Sequence, residues 1–405
     1  MYTDRSMYLI EELKSSNQYR EFKEINRIAG NYPLAQSSQE HINVFCSNDY
    51  LGMSQNKEVM LSMIDAVIKF GAGAGGSRNI GGTHKYFSKL ENTLASWHKK
   101  DSALVFPTGY SSNDASIQCL LRKFPDMVVF SDSKNHASII NGIRSTKNDK
   151  VIFEHNDTKD LERKLQTYPI NTPKLIIFES IYSMDGDVAP IEEIANLASQ
   201  YNALTFLDEV HAVGMYGESG AGYAELLGIS DKIDIIQSTM AKGIGIIGGY
   251  IAGEKYIIDL VRSFSSGFIF TTALPPSIVA GCLTSVNHLK KSDKERKALH
   301  ENTKYLRHQL QQYNIPVLSK STTHIIPVII GDSSKCKKAS QKLLEEYNIY
   351  VQPINYPTVE QGTERFRINV TPNHTKKHID HLCHSLYEVF SKLNINNKDE
   401  LSNVL

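Results

Sequence analysis

"STMAKGIGIIGG" occupies residues 238–249, and the architecture turns on what it is. Gly243, Gly245 and Gly248 fit G-x-G-x-x-G, the outline of a dinucleotide-binding loop. Lys242, directly before them, could instead be a reactive amine carried on a tight turn. A dinucleotide loop follows a strand and opens a helix, with an acid roughly 20 residues later. A strand-like run does precede residue 243, but "GGYIAGEKY" follows, which reads as another short strand. The helix predicted over 256–265 comes too late to place its N-terminus on a pyrophosphate. The glycines therefore point to a turn, and Lys242 becomes the residue to explain.

Working outward, short apolar runs recur at "ALVFPTG" (103–109), "DMVVFSD" (126–132), "KVIFEH" (150–155), "KLIIFES" (174–180), "LTFLDEV" (204–210) and "KIDIIQST" (232–239). They are near-continuous rather than alternating, the pattern of strands buried on both faces. Amphipathic segments lie between several of them. "PIEEIANLASQYN" (190–202) has Pro190 at its start, Glu192 and Glu193 in its first turn, and Ile191, Ile194 and Leu197 on one face. Alternation of this kind predicts an α/β domain with a mostly parallel sheet. From about residue 285 the pattern changes. Charged helical sequence (288–313) leads to "HIIPVIIG", a helix around Leu343 and Leu344, "IYVQPI", "FRINVTP" and a long final helix. The expected division is an N-terminal arm (1–50), a large domain (51–285) and a smaller C-terminal α+β domain (286–405).

The 405 residues carry 44 Lys+Arg against 44 Asp+Glu, so no basic excess favours nucleic acid or an anionic membrane as partner. Five scattered cysteines form no C-x-x-C pair, which fits a reducing compartment and argues against structural zinc. The opening "MYTDRSMYLIEELKSSNQYREF" has no signal-like apolar run and too many acids for a transit peptide. A cytoplasmic protein is expected.

A lysine that forms an imine with pyridoxal phosphate needs a phosphate cradle, an acid against the pyridine nitrogen and a group on the ring face. Ser238 and Thr239 stand beside Lys242 and can offer hydroxyls to a phosphate. Asp208 and His211 end a buried strand, and "SDSKNHAS" (131–138) supplies His136 just after another. "PTGYSSN" (107–113), with Thr108, Gly109 and Tyr110, is a loop whose backbone N–H groups can meet a phosphate. All lie at C-terminal ends of predicted strands, where ligands of parallel sheets bind.

Longer stretches then carry a resemblance. "SNDYLG" (47–52), "GAGAGGSRNIGGTHKYFSKLE" (71–91), "FESIYSMDGDVAPI" (178–191), "LDEVHAVGMYG" (207–217), "GFIFTTALPP" (267–276) and "YVQPINYPTVEQGTERFR" (350–367) together resemble the α-oxoamine synthases, pyridoxal-phosphate enzymes of fold type I. The resemblance runs from about residue 19 to 390. It implies condensation of glycine with succinyl-CoA to 5-aminolevulinate, CoA and CO2, the entry step of haem synthesis by that route, in a homodimer with shared active sites.

Carried over motif by motif, the resemblance makes Lys242 the cofactor-bearing lysine, Asp208 the partner of the pyridine nitrogen and His136 the ring-stacking histidine. His211 and Ser183 fall near the cofactor's phenolic oxygen, Thr239 on its phosphate, and Thr271 and Thr272 on the phosphate of the second subunit. Arg367 becomes the clamp for the glycine carboxylate, a bidentate role that suits a guanidinium. Asn48 falls on an active-site asparagine. Ser77, Asn79, Ser131 and Lys150 match substrate positions. Arg20 and Thr358 match the pair that holds the distal carboxylate of succinyl-CoA. Long-chain acyl donors lack that carboxylate, so Arg20 is the sequence hint for succinyl.

Two departures accompany the resemblance. Ser77 stands where threonine is usual. Around the lysine, Met240 and Ala241 precede it and Gly243 and Ile244 follow, against T-L-G-K-A-[FY]-G. The alternatives are a synthase for another acyl-CoA or amino acid, and a non-catalytic homologue. His378, His381 and His384 in "HIDHLCH" read as a solvated helix face rather than a metal site. "GAGAGGSRNIGG" reads as a substrate-shaping loop before a helix with Tyr86, Leu90, Leu94 and Trp97 on one face, rather than as a linker.

Overall fold

The computed structural model describes residues 1–16, 18–37 and 40–395. The tail "NNKDELSNVL" lies outside the described residues. The chain divides into two compact units: residues 48–183 with 188–297, and residues 1–47 with 184–187 and 298 onward.

The larger unit is built on a seven-stranded sheet in the order Ser102–Phe106, Gly249–Gly253, Ile235–Thr239, Ala203–Asp208, Lys174–Glu179, Val128–Asp132, Lys150–Phe153. The last five pair in parallel. Gly249–Gly253 runs antiparallel to both its neighbours. All six apolar runs form strands, and the central ones are buried along their whole length. One core packs Leu104, Val129, Ile177, Phe206 and Ile235 on one side of the sheet. A second packs Phe130, Phe178, Leu207 and Ile236 on the other. Successive residues of a strand alternate between these cores, which is why the runs read as unbroken. The helix beginning at Pro190 spans Ile191–Gln200 and buries Ile191, Ile194 and Ala198.

The opening stretch is the connection of an antiparallel pair, in which Gly249 registers with Thr239. No helix follows until Lys255–Phe264. The glycines are packing glycines. A Cβ on Gly243 would collide with the Val213 carbonyl oxygen and the Met215 sulfur. Gly245 has φ +81°, and a Cβ there would lie 2.9 Å from Asp49 Oδ1. Gly248, at φ +129°, lies against the Met240 methyl. Met240 and Ile244 are fully buried. The unusual residues around Lys242 thus fill one another's space: Met240 occupies the side of Gly248, and Met215 takes the room an alanine at 243 would need.

In the smaller unit, Ile326–Ile329, Arg365–Ile368 and Pro353–Ile354 form a three-stranded sheet. Residues Glu40–Val44 pair in parallel with Ile349–Tyr350, which ties the first 47 residues to this unit. Its core gathers Phe45, Leu306, Val328, Leu343, Phe366, Leu386 and Phe390. The charged sequence at 288–313 belongs to two helices, Pro276–Lys291 and Lys294–Gln312, with a break at Ser292. The final helix, Lys376–Leu393, is capped by Thr375, which accepts from His378 N–H. His381 Nε2 meets the Tyr347 carbonyl at 2.9 Å, so the three histidines serve separate local contacts.

Candidate active site

The C-terminal edge of the parallel strands collects the polar groups of the larger unit. Glu179 and Asp208 are register partners, as are Asp208 and Gln237. The helix Gly109–Lys123 starts at this edge, with Thr108 as N-cap accepting from Ser111 N–H at 3.0 Å. Its first N–H groups are left without intrahelical acceptors, which makes this terminus an anion site by construction. Gly109 passes so close to Thr239 that a Cβ would lie 2.8 Å from the threonine Cβ and Oγ1. Thr239 Oγ1 donates to the Gly248 carbonyl at 2.8 Å and accepts from Ala241 N–H. Ser238 is one strand position away, cross-strand from Tyr250, so its side chain leaves the opposite face of the sheet from Thr239.

Two hydrogen-bonded chains converge here. In the first, Lys242 Nζ lies 2.7 Å from His211 Nε2, His211 Nδ1 lies 2.9 Å from the Tyr50 hydroxyl, and that hydroxyl donates to Asn48 Oδ1 at 3.1 Å. In the second, Asp208 Oδ2 accepts from Asn113 Nδ2 at 2.8 Å, and Oδ1 accepts from Val210 N–H at 2.8 Å. Asn113 Nδ2 also donates to Ser138 Oγ at 3.1 Å, and Ser138 Oγ lies 2.7 Å from His136 Nδ1. Burial pushes the Asp208 carboxyl above its ordinary value, while Asn113 and Val210 pull it back. Burial holds His136 below the ordinary imidazole value, opposed by the Asp208 charge. Glu179, fully buried beside Asp208, is pushed well up and accepts from His136 N–H at 2.6 Å. Glu209 faces elsewhere. Its two oxygens accept from Tyr223 and Ala224 N–H, and burial raises it to about 7.

The sequence-predicted residues sort accordingly. Lys242, His211 and Asn48 fall in one chain, His136 and Asp208 in the other, and Thr108, Gly109 and Thr239 at the helix start. Tyr110 is exposed, its ring edge-on to His136 at 6.5 Å. Ser183 is half-buried just after the strand end. Ser77 pairs with Thr272 in an antiparallel bridge beside Thr271. Asn79 is exposed in the same loop. That loop is anchored, with Arg78 donating to both carboxylate oxygens of Glu91 at 2.8 and 3.2 Å. In the helix that follows, Phe87 rather than Tyr86 is fully buried alongside Leu90, Leu94 and Trp97. Ser131 is buried and accepts from Asn135 Nδ2. Lys150 is exposed at the N-terminal end of its strand, away from the edge that carries Asp208.

In the smaller unit, Arg20 Nη2 donates to Thr358 Oγ1 at 3.3 Å, with both residues exposed. Arg367 is buried in the central strand of its sheet. Asn113, Ser138, Glu179 and Tyr50 are functional neighbours that the sequence does not single out. All four stand inside the quoted motifs, and their only signal there is proximity to recognised residues.

The aminotransferase class I and II family matches residues 40–386, and the chain belongs to that family, whose members share the pyridoxal-phosphate fold type I. A 5-aminolevulinate synthase of Rickettsia bellii is 51% identical over 386 residues, 95% of this chain and 93% of that protein. A mitochondrial 5-aminolevulinate synthase of Schizosaccharomyces pombe is 48% identical over 98% of this chain and 72% of its own length. Among solved structures, a serine palmitoyltransferase from S. paucimobilis with a bound pyridoxal-phosphate adduct superposes with a TM-score of 0.89. It is 28% identical, covering 97% of this chain and 98% of that one. Pyridoxal phosphate fits the residues present. The helix start at Thr108 offers an anion site that an added Cβ at Gly109 would crowd, and the Lys242 amine is held at this edge by His211. The Asp208 carboxylate is buried without a cation among its hydrogen-bond partners and has lone pairs left for a pyridinium N–H.

Proposed function

We propose that the chain condenses glycine with succinyl-CoA, releasing CoA and CO2 to give 5-aminolevulinate, the opening step of haem synthesis by this route. The two relatives at about half identity support the activity. The observation that carries the choice of acyl donor is the pairing of Arg20 with Thr358, residues 338 positions apart that meet at 3.3 Å. A guanidinium beside a hydroxyl suits the distal carboxylate of a succinyl group and offers nothing to an alkyl chain.

Lys242 would carry pyridoxal phosphate, with Thr108, Gly109, Tyr110 and Thr239 about its phosphate and Ser238 beside Thr239 in the strand. Asp208 would meet its pyridine nitrogen, His136 its ring face, and His211 and Ser183 its phenolic oxygen. When bound, the cofactor supplies an electron sink for the carbanion at the glycine α-carbon. Lys242 Nζ, steered by His211, takes the α-proton and later returns one. Asp208, its oxygens oriented by the bonds from Asn113 and Val210, would hold a proton on the pyridine nitrogen. His136 would donate to the thioester carbonyl oxygen as negative charge develops on it. Arg367 binds the glycine carboxylate, with Asn48, Ser77, Asn79, Ser131 and Lys150 as further substrate positions.

The working unit is a homodimer, with Thr271 and Thr272 serving the phosphate of the second copy. The helix Lys57–Phe70 supports this, because Leu61, Ile64, Val67 and Ile68 are all exposed and form an apolar face that needs cover. A cytoplasmic location is part of the same reading. No described helix is long and apolar enough to cross a membrane.

The test is CoA release with glycine or alanine, each against succinyl-, acetyl- and pimeloyl-CoA. Release with glycine and succinyl-CoA in clear excess over the other five pairs is expected. A preference for acetyl- or pimeloyl-CoA would move the chain to another acyl donor, and a colourless, borohydride-insensitive protein would make it a non-catalytic homologue.

A further inference from the structure

The hydrogen bonds from His136 to Asp208 can be resolved donor by donor. An ionised carboxylate only accepts, so the atom of Asn113 that meets Asp208 Oδ2 is the amide nitrogen, which fixes the amide orientation. The second hydrogen of that nitrogen goes to Ser138 Oγ. Ser138 Oγ thereby accepts from Asn113 and has its own proton to give, and His136 Nδ1 lies 2.7 Å away. The Ser138 backbone N–H is aimed at the same nitrogen, at 3.2 Å. A backbone N–H cannot accept. Nδ1 must therefore carry the lone pair, and the proton of the neutral ring sits on Nε2.

The local fold enforces this. His136 is the N-cap of the helix Ala137–Arg144, and its side chain takes the place that serine or aspartate usually fills. Protonating Nδ1 would break that cap and place a cation at the positive end of the helix. The same device keeps an imidazole neutral at a helix start in other enzymes. The charged and titratable groups nearest His136 are Asp208, Lys242 and Glu179, and Glu179 is spent on the His136 backbone N–H.

We propose that Ser138 and Asn113 are positioning residues that lock His136 in its neutral, Nε2-protonated tautomer, so that the ring can offer its outer nitrogen only as a hydrogen-bond donor. This rests on the reading of His136 as the residue that meets the reacting carbonyl oxygen, and it specifies the atom and the proton. It also joins that donor to the Asp208 charge: Asp208 orients Asn113, Asn113 orients Ser138, and Ser138 selects the tautomer.

Long-range ¹H–¹⁵N spectra of the ¹⁵N-histidine-labelled, full-length protein, with and without pyridoxal phosphate, read the tautomer directly. His136→Asn identifies the signal among the 14 histidines. In the wild type, Nδ1 should show the shift of an unprotonated nitrogen and Nε2 that of a protonated one. In Ser138→Ala, which loses the hydroxyl and leaves only the 3.2 Å backbone N–H on Nδ1, the two shifts should move part of the way toward a common average, and in Ser138→Thr, which keeps the hydroxyl, they should stay apart. An Nδ1-protonated ring in the wild type overturns the proposal by itself, whether or not any variant folds. So does a folded Ser138→Ala whose His136 shifts are unchanged. Activity is scored separately. Missing CoA release would overturn the proposed reaction and leave the tautomer standing, whereas the wrong tautomer with normal turnover would overturn only this inference.

Discussion

The strand-edge cluster of the larger unit and the Arg20–Thr358 pair of the smaller one are built on opposite plans. At the strand edge, Asp208 is buried and each oxygen accepts a hydrogen bond, and His136 is held by its backbone, its Nδ1 and its place at a helix start. Arg20 has a 3.3 Å bond to Thr358, and both residues face solvent. The difference follows from what each must do. Groups that stabilise a developing charge act best when they are already oriented and dry. A group that selects an acyl donor must stay open until the donor arrives. Damage to the first region should therefore remove chemistry or cofactor, and damage to the second should alter choice.

The largest effect is expected from Lys242→Ala. Loss of the amine should lower CoA release by roughly 10²–10⁴-fold or more, the range for removing a positioned acid–base group. If turnover persists within about tenfold of wild type, far short of that range, the strand-edge cluster is not the reaction centre. Next comes Gly109→Ala. The new methyl must push against Thr239, and overpacking of this kind costs about 1–3 kcal/mol, roughly 5–150-fold in cofactor affinity. Titration of the cofactor-free variant with pyridoxal phosphate reads this. Unchanged affinity would show that the phosphate does not use this helix start.

The same contrast explains what is legible in the sequence. The parallel strands can be read because both faces of each are buried, so Val128–Asp132 and Lys174–Glu179 are continuous apolar runs. The lysine loop is legible as a turn. The reason for its residues is not, because Met215 and Gly243 meet only after the 207–217 loop folds back. Asn113 and Ser138 stay hidden for a similar reason. Each stands near a recognised residue, but the bonds that give them meaning span 95 and 25 positions. The strands Asn26–Arg27, Leu34–Ser37 and Glu40–Val44 leave no readable pattern. They are short and partly exposed, and the parallel partner of the last is Ile349–Tyr350, far along the chain. Long-range partnership is the part of a fold that periodicity does not carry.

The open region is probed by Arg20→Ala. Because the residue is exposed, its charge-assisted bond to a carboxylate should contribute about 1–1.5 kcal/mol, near the low end for hydrogen bonds to charged groups. The ratio of kcat/KM for succinyl-CoA over butyryl-CoA should then fall by about tenfold, while turnover at saturating succinyl-CoA changes little. Arg20→Lys should recover only part of the ratio, since an ammonium lacks the planar fork. A fall in kcat with the ratio unchanged would place Arg20 among the groups that support the chemistry and erase the contrast between the two regions.

The smallest effect is expected at Ser77. It is half-buried and bridges to Thr272 in the loop that Arg78 anchors, so an added methyl stands on a held backbone and crowds whatever lies beside it. If that is the side chain of the amino acid, Ser77→Thr should crowd alanine more than glycine. One methyl group corresponds to about 0.8 kcal/mol, roughly fourfold. The measurement is the ratio of kcat/KM for glycine over alanine with succinyl-CoA held constant. A ratio that rises while the glycine value holds would place a second selectivity device in the loop and make it a rigid counterpart to Arg20. An equal fall for both amino acids would mean that the methyl disturbs the Ser77–Thr272 bridge instead, and that the loop supports the site without choosing the substrate.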